Sequence, residues 1–247
     1  MDTNINTEKK EYLLPASILI AGVIIAAAVI YSNGLNPGTT GQTGGGQQAN
    51  NQKEIAEILK VKDNDAVMGN ANAPVTVVLY SDPSCPFCAA AAGKNQEVID
   101  YLKKGMPSWT PPVPGIIENY VKTGKARLVF RYFPGHGTGE EATKAMFCAN
   151  EQGKFWELHD KVFENQNVIE DMTKIRGFAG SVGVNLTKLD ACLASNKYAQ
   201  KLQEDTSSGQ AVGVDGTPAF YINGQKIEAG AQPFSELKTV IDKILAS

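Results

Sequence analysis

Two cysteines, Cys85 and Cys88, stand at the junction between a strand pattern and a helix pattern, and this junction limits the possible folds more than any other part of the sequence. Residues 75–80 form a continuous β-prone run, which predicts a buried central strand. An alanine-rich stretch from Pro86 to about residue 104 predicts a helix, because proline is tolerated in the first helical turn. The cysteine pair is therefore expected to cap this helix directly after the buried strand.

The remainder of the chain indicates an α/β fold with a helical insertion. A strand pattern at 127–133 follows a helix pattern, which is compatible with a crossover between parallel strands. From about residue 138 to 210 only helical spacing is present. The chain then returns to strands around an Asn223-Gly224 turn and ends in an amphipathic helix over 237–245.

Residues 13–31 contain no charge, and a helix of that length is roughly 28 Å long, close to the thickness of one hydrocarbon core. This pattern predicts a single transmembrane helix. Because Lys9 and Lys10 precede it and the next base is Lys53, residues 1–12 are expected in the cytoplasm and the rest of the chain outside it. A cleaved signal peptide and a buried core helix are the alternatives.

Residues 32–52 contain six glycines, one leucine and no charge, which is typical of a flexible linker. This leaves residues 53–247 as the folded domain. The chain has 23 Lys and Arg residues against 26 Asp and Glu residues, for a net charge of -3, so no basic field is present to bind nucleic acid. The predicted location is the cell membrane, reached through the chain's own single-pass anchor.

The position of Cys85 at a helix N-terminus predicts a reactive thiolate. Unpaired backbone N–H groups and the helix dipole stabilise a negative charge on this sulfur. The dipole alone contributes about 0.3–1 kcal/mol, which corresponds to a pKa lower by roughly one. A stabilised thiolate favours the reduced pair and makes the disulfide a better oxidant. We expect a substrate thiolate to attack Cys85, which lies open to it, with Cys88 as the resolving partner.

Three stretches of the chain resemble the DsbA-like thiol-disulfide oxidoreductases of the thioredoxin superfamily. They are the strand-to-helix junction at 75–88, Cys-Ala-Asn-Glu-Gln-Gly-Lys-Phe-Trp at 148–156, and Gly-Thr-Pro-Ala-Phe at 216–220. The resemblance covers about residues 61–245 and implies a thioredoxin-like fold, with the predicted helical segment as an inserted subdomain. It also implies a chemistry that requires neither a metal nor an organic cofactor.

The resemblance further implies how the site is arranged. The cysteine pair is catalytic, and Pro86 and Phe87 belong to the active-site helix. A cis Pro218 faces the pair, and Thr217 before it offers backbone contacts to an extended peptide substrate. Isomerase-type relatives share the threonine at this position, so it leaves the direction of electron flow open.

Two features depart from the family pattern. Many thioredoxin-like proteins carry a buried acid where this chain has Leu79. Asp82 is the candidate substitute for proton transfer, with a simple turn residue as the alternative. Residues 106–115 contain four prolines and Trp109, and they resemble an inserted loop, which is either a local structure or part of a peptide-binding site.

The other cysteines and the histidines have structural interpretations. Cys148 and Cys192 both fall in the helical block, and an even cysteine count outside the cell favours a structural disulfide between them, with two buried thiols as the alternative. His136 is either a neighbour of the redox site or a solvent-facing loop residue. His159 is predicted to be a packing residue. Because none of these residues forms a second close-spaced pair, no metal site is predicted, and half a zinc site is a disfavoured alternative for the active-site pair.

These observations lead us to expect a membrane-anchored, extracytoplasmic thiol-disulfide oxidoreductase that oxidises cysteine pairs in reduced or misoxidised secreted proteins. By the same resemblance, its electrons pass to a membrane-embedded redox partner of DsbB or vitamin-K-epoxide-reductase type. The alternatives are a disulfide isomerase or reductase, and a non-enzymatic tethered binding module in which the cysteine pair is a structural disulfide.

Overall fold

The strand predicted between residues 75 and 80 lies at the centre of a mixed β-sheet. The structure is a computed structural model that describes residues 44–227 and 230–247. Its strands are β1 Ala66–Gly69, β2 Val75–Ser81, β3 Ala126–Tyr132, β4 Ala219–Ile222 and β5 Gln225–Lys226. Within the described residues they have the order β1-β3-β2-β4-β5. β2 and β3 are parallel and the other neighbouring pairs are antiparallel, which confirms the α/β prediction.

The helices surround this sheet. In the described part of the chain they are α1 Gly44–Ile58, α2 Pro86–Ala91, α3 Gln96–Gly105, α4 Pro112–Ile116, α5 Glu140–Asn150, α6 Phe155–Glu164, α7 Met172–Ser181, α8 Leu186–Ser195, α9 Tyr198–Ala211 and α10 Phe234–Leu245. A π-helical turn, Ile117–Val121, continues α4, and a 3-10 turn, Gln166–Val168, follows α6. Helices α5 to α9 follow one another without an intervening strand, which confirms the predicted helical insertion.

Strand β2 is apolar on both sides because both faces of the sheet are covered. Val77 and Leu79 pack against the apolar stripe of α10. Val78 and Tyr80 point to the opposite face and pack into a second cluster that includes residues of α1. A strand buried on two faces has no polar alternation, which explains the continuous apolar run in the sequence.

The register of the sheet brings two distant segments to the same edge. β4 is antiparallel to β2, and its first residue, Ala219, pairs with Tyr80 near the end of β2. The segment that follows β2 therefore leaves the sheet beside the segment that precedes β4. These two segments carry the cysteine pair and Pro218, respectively.

The single helix predicted from Pro86 to about residue 104 is two helices in the structure. The chain turns after α2 at Gly93, which has a positive φ of 75° that glycine adopts without steric cost. Asn95 then begins α3, because its side chain accepts a hydrogen bond from the backbone N–H of Val98. Alanine-rich spacing alone does not show this break.

The predicted linker is only partly described by the structure. Its last residues, from Gly44, belong to α1 and are helical, which corrects the prediction of a flexible linker for residues 44–52. The physical reason is that Gln, Ala, Lys and Glu in this segment are good helix formers, and Ile55 and Ile58 anchor the helix by packing against the sheet. The predicted span at 13–31 lies outside the described residues. Among the helices that are described, none has the length and apolarity to cross a bilayer.

Candidate active site

Cys85 and Cys88 lie where the end of β2 meets the start of α2. Cys85 is the N-cap residue of α2, with extended backbone angles, and Pro86 occupies the first helical turn. Both cysteines are thiols in the structure. Each is 2% exposed, which is more buried than expected for a sulfur open to attack. The adjacent Phe87 is 40% exposed and offers an apolar surface beside the pair.

The acidity of the two thiols differs strongly. The pKa of Cys85 is lowered to about 6, first by the hydrogen bond from the Cys88 thiol and then by the Thr217 side chain and nearby backbone amides. Burial opposes this lowering. Because the helix dipole supplies only about 0.3–1 kcal/mol, hydrogen bonds are the larger cause. At neutral pH Cys85 is mostly a thiolate.

Cys88 has the opposite character. Burial raises its pKa well above the ordinary value, and the hydrogen bond with Cys85 raises it further. The Ser81 hydroxyl and the Asp82 backbone oppose this effect only in part. Cys88 therefore stays protonated while Cys85 carries the charge. Of the two sulfurs, Cys85 is therefore the more nucleophilic at neutral pH and the better leaving group.

The loop before β4 faces Cys85. The Thr217–Pro218 peptide bond is cis. As a thiol, Cys85 donates a hydrogen bond to the Thr217 carbonyl oxygen at 3.3 Å. The Thr217 hydroxyl is buried and has no hydrogen-bond partner among the described residues. It is thus available to stabilise the thiolate, in agreement with its contribution to the low pKa.

Asp82 anchors a loop beside the cysteine pair. One carboxylate oxygen accepts a hydrogen bond from the backbone N–H of Ser84 at 2.8 Å. The other oxygen accepts from the backbone N–H groups of Gly135 at 2.6 Å and His136 at 3.2 Å. A Cβ on Gly135 would lie 3.2 Å from the Cys85 Cβ, so the loop packs closely against Cys85. This geometry makes Asp82 a positioning residue, since the hydrogen bonds found for its carboxylate in the described residues are all to backbone N–H groups and not to a cysteine sulfur.

Gln166, from the turn after α6, also holds the active-site segment. Its side-chain amide donates to the Pro83 carbonyl at 2.7 Å and to the Cys85 carbonyl at 2.9 Å. Asn95 donates in turn to the Gln166 carbonyl oxygen at 3.3 Å. Sequence patterns do not identify this residue, since it lies 81 positions from Cys85.

Trp109, in the proline-rich segment 106–115, is buried and supports the loop that carries Pro218. Its indole N–H donates to the Ala231 carbonyl at 2.8 Å. The neighbouring Gly230 backbone N–H donates to the Pro218 carbonyl at 3.2 Å. The segment therefore does not expose Trp109 to a peptide. Instead, it supports the segment that contacts Pro218.

The two histidines occupy different environments. His159 is buried among aromatic rings, including Phe130 and Phe163, and burial lowers its pKa so that it is neutral at pH 7. The packing interpretation of His159 fits this position. His136 is exposed on the loop held by Asp82. Within the residues that the structure describes, no group of three or more His, Cys, Asp or Glu side chains is arranged to bind a metal.

Cys148 of α5 and Cys192 of α8 are joined in a disulfide, with a Cα–Cα distance of 5.8 Å. Both residues belong to the core of the helical subdomain. The bond links two helices of the insertion and is separate from the Cys85 and Cys88 thiols.

Comparison with known proteins gives the same fold. A sequence profile of the family described as Thioredoxin matches residues 61–106 and 108–243. The structure of oxidised BdbD from Bacillus subtilis aligns with a TM-score of 0.62 at 24% identity, covering 74% of this chain and 94% of that one. The structure of α-DsbA1 from Wolbachia pipientis aligns with a TM-score of 0.64 at 22% identity, covering 78% and 96%.

Curated relatives match over part of their length. A putative protein-disulfide oxidoreductase of Rickettsia felis is 28% identical over 198 residues, 78% of this chain and 64% of that protein. A protein named Na(+)/H(+) antiporter NhaA 3, from Salinispora tropica, is 30% identical over 167 residues, 66% of this chain and 22% of that protein. The chain thus spans less than two thirds of either relative. With most of its length matched by the profile, this chain belongs to the thioredoxin family, and its fold is DsbA-like.

Proposed function

We propose that this protein catalyses thiol–disulfide exchange and acts as an oxidase of cysteine pairs in extracytoplasmic proteins. The observation that carries the proposal is the unequal acidity of the two thiols beside the cis-proline loop. Cys85 has a pKa of about 6, and the pKa of Cys88 is raised well above its ordinary value. A purely structural disulfide does not require this difference between the two pKa values.

The proposed reaction starts from the Cys85–Cys88 disulfide. A substrate thiolate attacks the Cys85 sulfur, a substrate–Cys85 bond forms, and Cys88 leaves and takes up a proton. The second substrate thiolate then attacks the substrate sulfur of this mixed disulfide. Cys85 leaves as a thiolate, which its low pKa favours. Two electrons pass from the substrate thiols to the cysteine pair. The pair ends as two thiols, which is its state in the structure.

The low pKa of Cys85 also supports the direction of the reaction. Stabilising the thiolate stabilises the reduced pair, and roughly 30 mV of potential corresponds to each factor of ten in thiolate stability. A pair biased in this way accepts electrons from substrates. The relatives named BdbD, α-DsbA1 and protein-disulfide oxidoreductase are compatible with this chemistry.

The anchor and the partner are part of the same proposal. The uncharged stretch 13–31 would hold the domain at the outer face of the membrane. Since the cysteine pair collects two electrons per turnover, a second protein must remove them. A membrane-embedded redox partner of DsbB or vitamin-K-epoxide-reductase type has this role in the proposal, and it rests on the family resemblance.

The decisive experiment measures the reduction potential of the pair and the oxidation of a reduced, unfolded substrate protein, with Cys85→Ser as the control. We expect a potential above about -200 mV, stoichiometric oxidation by the disulfide form, and none by Cys85→Ser. A potential below about -300 mV without activity would show a structural disulfide. A strongly reducing pair that is active would show a reductase. Membrane extraction tests the anchor. Detergent should release the full chain, and carbonate should not.

A further inference from the structure

A polar cleft of about 400 Å³ opens beside Cys85, on the side of the helical subdomain. It lies between the active-site segment, the loop anchored by Asp82, and the turn between α6 and α7. The residues that give it its character are Ser84, Thr138, Gln166, Glu170 and Asp171. We refer to it as the side cleft.

The walls of the side cleft are tied to the reacting sulfur. Ser84 directly precedes Cys85, and the Gln166 amide donates to the Cys85 carbonyl at 2.9 Å. Thr138 belongs to the loop that the Asp82 carboxylate holds through Gly135 and His136. The side cleft is therefore adjacent to the residue that a substrate cysteine has to reach.

The polar groups of the side cleft suit a cationic guest. The Ser84 hydroxyl oxygen is buried and has no hydrogen-bond partner in the described part of the chain. Glu170 is exposed and forms no ion pair or hydrogen bond with another described residue. One Asp171 oxygen accepts from the first backbone N–H groups of α7, at Thr173 and Lys174. All the residues that line the cleft are described, and none of them is basic.

We propose that the side cleft binds a lysine or arginine side chain next to the reacting cysteine of the substrate, with Glu170 as the specificity-determining residue. An ammonium or guanidinium group brings donors for the exposed Glu170 carboxylate, which has no partner among the described residues. This inference rests on the proposed function, because the guest is part of a substrate of Cys85.

The test uses two sets of three dithiol peptides. Within a set the peptides differ in one residue, which is Lys, Gln or Glu, and this residue precedes the first cysteine in one set and follows it in the other. The second-order rate constant of their oxidation by the disulfide form is measured. Because exposed ion pairs are worth about 0.2–1 kcal/mol, we expect oxidation of the Lys peptide to be about two- to fivefold faster than that of the Glu peptide on one side of the cysteine. About 1 M salt, which shortens the Debye length to roughly 3 Å, should remove the difference.

Two variants of equal charge separate the cleft from general electrostatics. Glu170→Gln should abolish the preference, and Asp63→Asn should keep it. Asp63 is exposed and lines a cavity with Thr76 at the opposite end of β2. Oxidation of dithiothreitol, which carries no flanking residue, should be the same in all three proteins.

The outcomes are distinct. Equal rates for the three peptides, or a preference that survives in Glu170→Gln, would overturn the side-cleft inference and leave the proposed function standing. If the wild-type protein oxidises neither the peptides nor dithiothreitol, the proposed function fails, and the inference fails with it.

Discussion

At the scale of single residues, the site depends on hydrogen bonds to two sulfurs. The N-terminal position of Cys85 on α2 is visible in the sequence and accounts for part of its acidity. The larger part comes from the Cys88 thiol and Thr217. Thr217 lies 132 positions away along the chain, so its contribution depends on how β4 pairs with β2.

The first prediction concerns the pKa of Cys85. The rate of alkylation by iodoacetamide should rise with pH around a midpoint near 6, because the thiolate is the reacting form. Cys88→Ala removes the main hydrogen bond to the thiolate, and a bond to a charged group is worth about 1.5–3 kcal/mol, so the midpoint should move to roughly 7–8.

Cys88→Ser is the matched control for this measurement, since its hydroxyl keeps a donor near the sulfur. Its midpoint should stay closer to that of the wild type. A wild-type midpoint above pH 8, or equal midpoints in Cys88→Ala and the wild type, would contradict a low Cys85 pKa caused by the hydrogen bond from Cys88.

At the scale of elements, segments that lack regular structure carry much of the positioning. The sequence predicts β2, the start of α2 and α10 well, because strand and helix patterns depend on neighbouring positions. It does not predict β1, which is short and pairs at the edge of the sheet with β3. The proline-rich segment 106–115 had two interpretations, a local structure or part of a peptide-binding site. Trp109 is only 2% exposed, which favours the local structure.

The second prediction concerns the hydrogen bond that Trp109 donates to Ala231. Trp109→Phe keeps an aromatic ring but removes the donor to the Ala231 carbonyl, which should lower the free energy of unfolding by about 1–3 kcal/mol through the unsatisfied acceptor and the lost volume. Because Gly230 contacts Pro218, substrate oxidation should slow as well. Urea unfolding and peptide oxidation provide the two measurements.

Trp156→Phe is the comparison variant. The Trp156 indole N–H is buried without a partner among the described residues, so its removal leaves no acceptor unsatisfied. It should cost less stability than Trp109→Phe and should leave peptide oxidation unchanged. Equal losses in the two variants would show that the Trp109 hydrogen bond does not matter.

At the scale of the whole molecule, the helical subdomain is held to the sheet and held within itself by different means. A buried network of Asp65, Arg131, Lys201 and Asp205 connects the sheet to α9. Its four charges balance, which is a condition for keeping them out of water. The helical subdomain instead combines an apolar core with the Cys148–Cys192 disulfide.

The third prediction concerns that disulfide. It closes a loop with a sequence separation of 44 residues, so the chain-entropy estimate for its contribution is about 4 kcal/mol, within the usual 2–5 kcal/mol. A Cys148→Ala, Cys192→Ala double variant should lose that much free energy of unfolding in urea, with the active-site pair kept reduced in both proteins. Unchanged midpoints would contradict a stabilising role, and an unchanged Cys85 alkylation profile would show that the site is independent of it.

Several properties of this protein follow from neighbouring residues along the chain. The strand before Cys85, the helix that begins at Pro86 and the spacing of the two cysteines are of this kind, because strand and helix patterns depend on positions two to four residues apart. The hydrogen bond that Asp82 accepts and those that Gln166 and Trp109 donate span 53, 81 and 122 positions, respectively. Such contacts exist only after the sheet has paired and the helices have packed, since no local pattern encodes which distant backbone group will lie within 3 Å. The reactive pair can therefore be found in the sequence, but its acidity and its surroundings depend on the assembled fold.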